Sequence, residues 1–155
     1  MATKHPLTKQ QILIKLTDAC SKAEYCLEDM RRRMRRWEVE ESLQQEALDY
    51  LVKERYIDEH RYASMFIRNK IQYNGWGKRK VQQALYAKRI PREIYQPLLD
   101  EVPDEDYELK LLPLLRNKLK SVKANSDYER NGKLIRFAMQ RGFTYDQIER
   151  CLRML

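Results

Sequence analysis

Glycine and proline are scarce in this 155-residue chain, at four and five. An all-β protein needs turn residues every 8–12 positions, so that class is excluded. Val and Thr are also sparse, while Leu, Lys, Arg, Glu, Gln, Ala and Met abound, a helical composition. No apolar run approaches the roughly 18 residues of a membrane span. The longest, Leu111-Leu112-Pro113-Leu114-Leu115, is bracketed by Lys110 and Arg116. The N-terminus, Met1-Ala-Thr-Lys-His-Pro, has no apolar signal core, so a cytoplasmic protein is expected.

Cysteine is equally thin. Cys20, Cys26 and Cys151 form no CxxC pair, and His5 and His60 lie far from them in sequence. Reduced, buried thiols are expected, and no metal or other cofactor. No Gly-rich phosphate loop is present, since Gly75-Trp76-Gly77 is the only glycine pair. No Ser, Cys or Lys sits in an activating motif. Asp104-Glu105-Asp106 reads as a helix start, where negative charge meets the positive end of the dipole. No enzymatic role is expected.

What the chain has is charge and helical period. Lys plus Arg is 31 against 23 acids, a net charge of +8, and 35% of residues are charged. The isoelectric point is near 9.4 and the mean hydropathy −0.80. Thr8 with Gln11, Ser21 with Glu24, Ser126 with Glu129 and Thr144 with Gln147 match capping boxes. Asp58 and Asp104 read as simple N-caps, Pro91 as a first-turn residue and Gly142 as a helix stop. Between these marks, apolar spacing predicts helices near 8–19, 22–36, 40–54, 58–73, 77–89, 91–100, 104–123, 127–141 and 144–154. Pro113 is expected to kink or split the seventh.

The nine helices fall into three triplets. Met30, Met34, Val39, Leu43 and Ala47 align with Val81, Leu85, Ile90, Ile94 and Leu98. They align again with Leu134, Ala138, Phe143, Ile148 and Leu152. A five-residue step recurs where the second helix of each triplet gives way to the third. The reading is all-α, three tandem helix-turn-helix-like repeats of three helices at 1–57, 58–102 and 103–155. Stacked units of this size form an elongated, curved array.

The positive charge is concentrated. From His60 to Arg92 no Asp or Glu occurs, and Tyr62, Tyr73, Trp76 and Tyr86 interleave the cations. Lys78, Gln82, Tyr86 and Arg89 form a stripe opposite Val81 and Leu85, suited to phosphate neutralisation, with aromatics that could stack on unpaired bases. The acidic segment from Asp100 to Glu108 is the internal rival for those cations. A second cluster, Arg31-Arg32-Arg33 with Arg35-Arg36, reads either as a binding face or as a solvated face bridged to Glu24, Glu28, Asp29 and Glu38.

The segments Tyr56-Ile57-Asp58-Glu59-x-Arg61-Tyr62-Ala63-x-x-Phe66 and Trp76-Gly77-x-x-Lys80-Val81-x-x-x-Leu85-x-x-x-x-Ile90 resemble the RecX family of recombination regulators. The tail Arg141-Gly142-Phe143-x-x-x-x-Ile148 and Ser21-x-x-Glu24 extend the resemblance over roughly 8–155. The family's glycine closing the second helix of a unit is replaced by Glu38 and Arg89, and kept as Gly142. The resemblance implies a non-enzymatic regulator of DNA repair and recombination that lodges in the RecA nucleoprotein filament and modulates it, usually by inhibition. DNA, single- or double-stranded, would be a weaker partner, with no membrane partner and a monomeric state. Charge on the matched helices then nominates Arg31, Arg32, Arg35, Arg68, Lys70, Trp76, Lys78, Arg79, Lys80, Tyr86 and Arg89 as the RecA- and DNA-contacting residues. The alternative from another class is a stand-alone nucleic-acid-binding helical repeat protein.

Overall fold

A computed structural model describes residues 6–155, so His5 and most of the N-terminal segment read above lie outside the described residues. The described residues form nine α-helices and no strand. They are α1 Lys9–Lys22, α2 Leu27–Arg36, α3 Glu41–Lys53, α4 Glu59–Gln72, α5 Lys78–Ala87, α6 Arg92–Asp100, α7 Asp104–Leu119, α8 Asp127–Gln140 and α9 Tyr145–Leu152. None is long and apolar enough to cross a membrane. The chain divides into two compact units, one reaching Tyr62 and taking in Lys88–Ile90, the other made of Ala63–Ala87 and Pro91–Leu155.

In the first unit α1 and α2 each pack on α3. Ile12, Leu16, Met30, Met34, Ala47, Leu48, Leu51 and Ile57 make its core. In the second unit α5 packs on α6, and α7, α8 and α9 pack on one another. Tyr107, Leu111 and Leu115 of α7 are wholly buried, as are Leu134, Ala138, Phe143 and Ile148. Burying a side chain such as Phe143 contributes about 2–3 kcal/mol.

The clearest sign of internal repetition is in the backbone. Glu38, Arg89 and Gly142 all have left-handed backbone, with φ of 57°, 56° and 94°. In each case an apolar residue follows (Val39, Ile90, Phe143) and a helix starts at the third position on, at Glu41, Arg92 or Tyr145. In the first and third cases the hydrogen bonds are of the Schellman type. Val39 N–H donates to the Met34 carbonyl and Glu38 N–H to that of Arg35. Phe143 N–H donates to Ala138 and Gly142 N–H to Met139. The positions without glycine therefore keep the geometry that glycine would favour.

Several local expectations are corrected. Ser21 lies inside α1 and its hydroxyl donates to the Asp18 carbonyl, so it does not pair with Glu24 as a capping box. Instead α2 begins after Cys26, whose N–H donates to the Asp29 carboxylate. Asp104 is the first residue of α7, after Pro103, and its carboxylate accepts from Gln147 Nε2 at 3.0 Å. Pro91 is the residue just outside α6. The Glu129 carboxylate accepts from Asn125 N–H, while Ser126 caps α8 by accepting from Glu129 N–H. The boxes at Thr8 and Thr144 form, and Asp58 accepts from Arg61 N–H.

Pro113 does not split the seventh helix, which runs unbroken to Leu119. Pro113 and Leu109 are exposed while Leu111 and Leu115 are buried. The hydrogen bond that proline deletes thus lies on the solvent face of the helix. In α6 the buried pair is Tyr95 and Leu99, and Ile94 and Leu98 are half-buried, one residue out from the expected columns.

Candidate functional site

The arginine-rich α2 carries its own counter-ion. Glu28, in the first turn, has a carboxylate only 4% exposed. Arg31, Arg32 and Arg35 follow it at three, four and seven residues and so lie along the same helix face. Arg35 Nη2 comes within 2.9 Å, Arg31 Nη1 within 3.4 Å and Arg32 Nε within 3.8 Å. Arg89 Nε completes the ring at 3.5 Å. A buried carboxylate is tolerated only when donors surround it, and here they outnumber it four to one. One negative charge offsets one of the four guanidiniums, and the cluster stays strongly cationic.

Beside it, Asp29 takes Lys88 and the Cys26 N–H. Burial pushes the Asp29 carboxyl up, but the Lys88 ammonium and the Cys26 donors outweigh it and hold it below its usual value. Glu59, in the first turn of α4, accepts from Leu27 N–H, and burial raises its carboxyl. Arg61 pairs with Glu24 at 2.9 Å. Arg32, Arg33, Arg36, Tyr25, Tyr62 and Lys88 line a cleft of about 700 Å3 in this unit. Burial pushes the Cys26 thiol up to about 12 and Cys151 up to about 11, and raises Cys20 as well. Burial thus disfavours the thiolate form at all three positions.

In the second unit Lys70 and Lys80 are held on an aromatic ring, as Arg33 is on Tyr25 in the first. Lys80 Nζ lies 4.5 Å and Lys70 Nζ 4.9 Å from the Trp76 ring centroid, and Lys70 also lies 5.3 Å from Phe66. Phe66 meets Trp76 edge to face at 6.5 Å. Arg68, Lys70, Arg79 and Lys80 have no ion pair within 4.0 Å among the described residues. Lys78 is the exception, bound to Asp100 at 2.8 Å, so the acidic rival claims one member of the α5 stripe. Tyr86 is 76% exposed and shares a shallow cleft with Arg79, Gln82, Gln83 and Tyr95.

Gly77 explains the Trp-Gly pair. Its N–H donates to the Arg141 carbonyl at 2.8 Å, and Arg79 N–H donates to the Gly142 carbonyl at 2.9 Å. A Cβ on Gly77 would stand 2.3 Å from the Gly142 carbonyl carbon and the Phe143 nitrogen. Side-chain-free backbone at both positions brings the start of α5 against the end of α8.

The nominated residues thus form separate groups. Arg31, Arg32, Arg35 and Arg89 converge on Glu28, and Lys70, Trp76 and Lys80 form one clasp. Arg79 and Tyr86 share the shallow cleft. Arg68 lines another groove with Ile67, Leu98 and Leu109, and Lys78 is tied down by Asp100. Sequence reading missed the cations of the third triplet, although 109–126 and 130–145 are also free of Asp and Glu.

Residues 58–96 match the family model for the second three-helix domain of RecX, and 104–152 match that for the third, together more than half of the chain. The chain belongs to the RecX family. A regulatory protein RecX of Vibrio parahaemolyticus is 29% identical over 132 residues, covering 85% of this chain and 83% of the relative. A solved structure of a regulatory protein RecX aligns with a TM-score of 0.87 at 18% identity, over 94% of this chain and 73% of that one. RecX from Lactobacillus salivarius aligns with a TM-score of 0.80 at 19% identity, over 94% and 97%. The fold is shared with these RecX structures, and the sequence relatives are regulatory proteins.

Proposed function

We propose that this protein binds the RecA–DNA filament and restrains its recombinase and ATPase cycle, with direct contacts to DNA contributing. The observation that carries the reading is the Glu28 cluster, four guanidiniums over one carboxylate, in a member of a regulatory family. The division into triplets at 1–57, 58–102 and 103–155 is part of the proposal. A RecA filament on DNA is a repeating polyanion. Several cationic groups on one chain engage it at once, so each contact is weak alone and strong together. A protein that bridges subunits favours one filament state over others and resists cycling between them, by differential affinity.

The test is RecA's single-strand-dependent ATPase rate with this protein titrated in. The rate is expected to fall with saturable dependence. A rate that does not change overturns the proposal, as does equal affinity for bare and RecA-coated DNA at matched salt. The alternative, a stand-alone nucleic-acid-binding protein, draws its support from the Trp76 clasp, and equal affinity would favour it.

A further inference from the structure

The third triplet repeats, with different residues, the arrangement seen at Trp76. Lys118 Nζ lies 5.3 Å and Arg141 Cζ 4.7 Å from the Phe137 ring centroid. Phe137 sits in a cleft of about 520 Å3 whose walls include Lys118, Lys123, Lys133, Arg136 and Gln140, with no acid among its lining residues. Lys133 is the one of these cations with an ion-pair partner, Glu129 at 3.4 Å, and it also donates to the Lys123 carbonyl. The two ring-centred clusters adjoin. A Cβ on Gly142, next to Arg141, would stand 2.5 Å from Lys80 Cβ. The junction also occupies the Gly77 and Arg79 N–H groups, so side chains are what α5 has to offer a ligand there.

We infer that these clusters form one phosphate track in the second unit, running from Lys70 and Lys80 on Trp76, over the Gly77–Gly142 junction, to Arg141, Lys118 and Arg136 around Phe137. Its ligand is the phosphodiester backbone of a nucleic-acid strand. Both rings serve as pedestals. A cation over a π-face keeps its whole charge, because the ring contributes no neutralising charge, while losing part of its hydration and its freedom to swing. Such cations meet a phosphate at lower ordering cost than lysines on a bare surface. With ammonium and guanidinium groups over the rings, phosphate rather than base is read, and binding is independent of sequence. Cations on α4, α5, α7 and the end of α8, gathered at two adjoining rings, suit a linear polymer of regular charge better than the intermittent acids of a folded protein surface. The inference deepens the direct-DNA part of the proposed function and assigns it to a face that the nominated residues only half covered.

The experiment is anisotropy of a labelled single-stranded oligonucleotide across a salt series, without RecA. Each phosphate contact contributes about 0.7 to the slope of log affinity against log salt. Replacing Lys118, Arg136 and Arg141 together by Gln is expected to lower the slope by about 2, since three contacts are lost. Replacing Lys70 and Lys80 by Gln lowers it by about 1.4 on the same reckoning. Lys53→Gln, on an exposed residue of α3, is the charge control and leaves the slope unchanged. Phe137→Leu keeps the apolar bulk and removes the pedestal, and it weakens binding. Circular dichroism melts verify that each variant is folded.

An unchanged slope in the Lys118/Arg136/Arg141 variant overturns the inference. So does the absence of binding to bare oligonucleotide at low salt, or equal competition by polyglutamate of matched charge, which would assign the track to an acidic protein surface. In each of these cases suppression of RecA's ATPase by the unaltered protein would leave the regulatory reading standing, so the two fail separately.

Discussion

Arg31, Arg32, Arg35 and Arg89 of the first unit gather on one carboxylate, whereas Lys70 and Lys80 of the second gather on the Trp76 ring and Lys118 and Arg141 on Phe137. Both devices fix long side chains that would otherwise wave in water, but they treat charge differently. Glu28 cancels one charge of the four it collects. Trp76 and Phe137 cancel none and have no proton to gain. Residue type alone does not tell whether a cation is available to a partner; the group that anchors it does.

The largest expected effect falls on the second unit alone. Gly77→Ala drives a methyl into backbone rather than into a yielding side chain. It is expected to cost about 3 kcal/mol in urea unfolding, at the upper end of ordinary overpacking. It should also weaken oligonucleotide binding by separating the two ring clusters. A variant as stable as the parent would show that the junction does not hold the track together.

Next comes Glu28→Gln, which leaves the four guanidiniums without their shared anion. Removing one partner of a fully buried pair costs about 3–5 kcal/mol. The arginines here are 30–69% exposed, so screening reduces the expected loss to about 2 kcal/mol. Polyanion binding should tighten, because one more positive charge is left over. Weaker binding by a folded variant would mean that Glu28 poses the arginines for the partner rather than merely restraining them.

The smallest effect separates the two devices by pH. The Asp29 carboxyl is held below its ordinary value near 3.8 in the folded chain. Its charged form therefore contributes stability above that ordinary value, and the contribution is lost as pH falls through the folded value. Thermal melts in the acid range should lose that part of their slope in Asp29→Asn. Trp76→Phe, which alters a ring under Lys70 and Lys80 and touches no carboxylate pair, should leave the slope as it was. Equal flattening in both variants would remove the distinction.

Much of the fold was legible because helix caps and apolar period are local. Thr8, Asp58 and Thr144 declare their helices by side chains that reach only three residues. Ser21 misled because the same hydroxyl bonds equally well to a carbonyl behind it, and the neighbouring helix decides which. Pro113 misled because its cost depends on which face it occupies, and only packing reveals that face. At the site, the charge of each helix could be read in advance, and Glu28 was visible as a partner for α2. That Arg89 joins the same carboxylate across 61 positions of sequence could not be, since nothing local links them. The Phe137 cluster was half hidden for the same reason: Arg141 is its i,i+4 neighbour, but Lys118 reaches the ring from the preceding helix.

The left-handed residues at the ends of α2 and α5 carry one more implication, for anyone wishing to harden this scaffold. An L-residue held at positive φ costs roughly 1 kcal/mol that glycine would not. At Glu38 no ion pair within 4.0 Å among the described residues repays that cost, so glycine there is a free improvement. At Arg89 the same exchange would strip a guanidinium from Glu28. Two positions with the same twist thus offer an engineer opposite advice, because one side chain is idle and the other is employed.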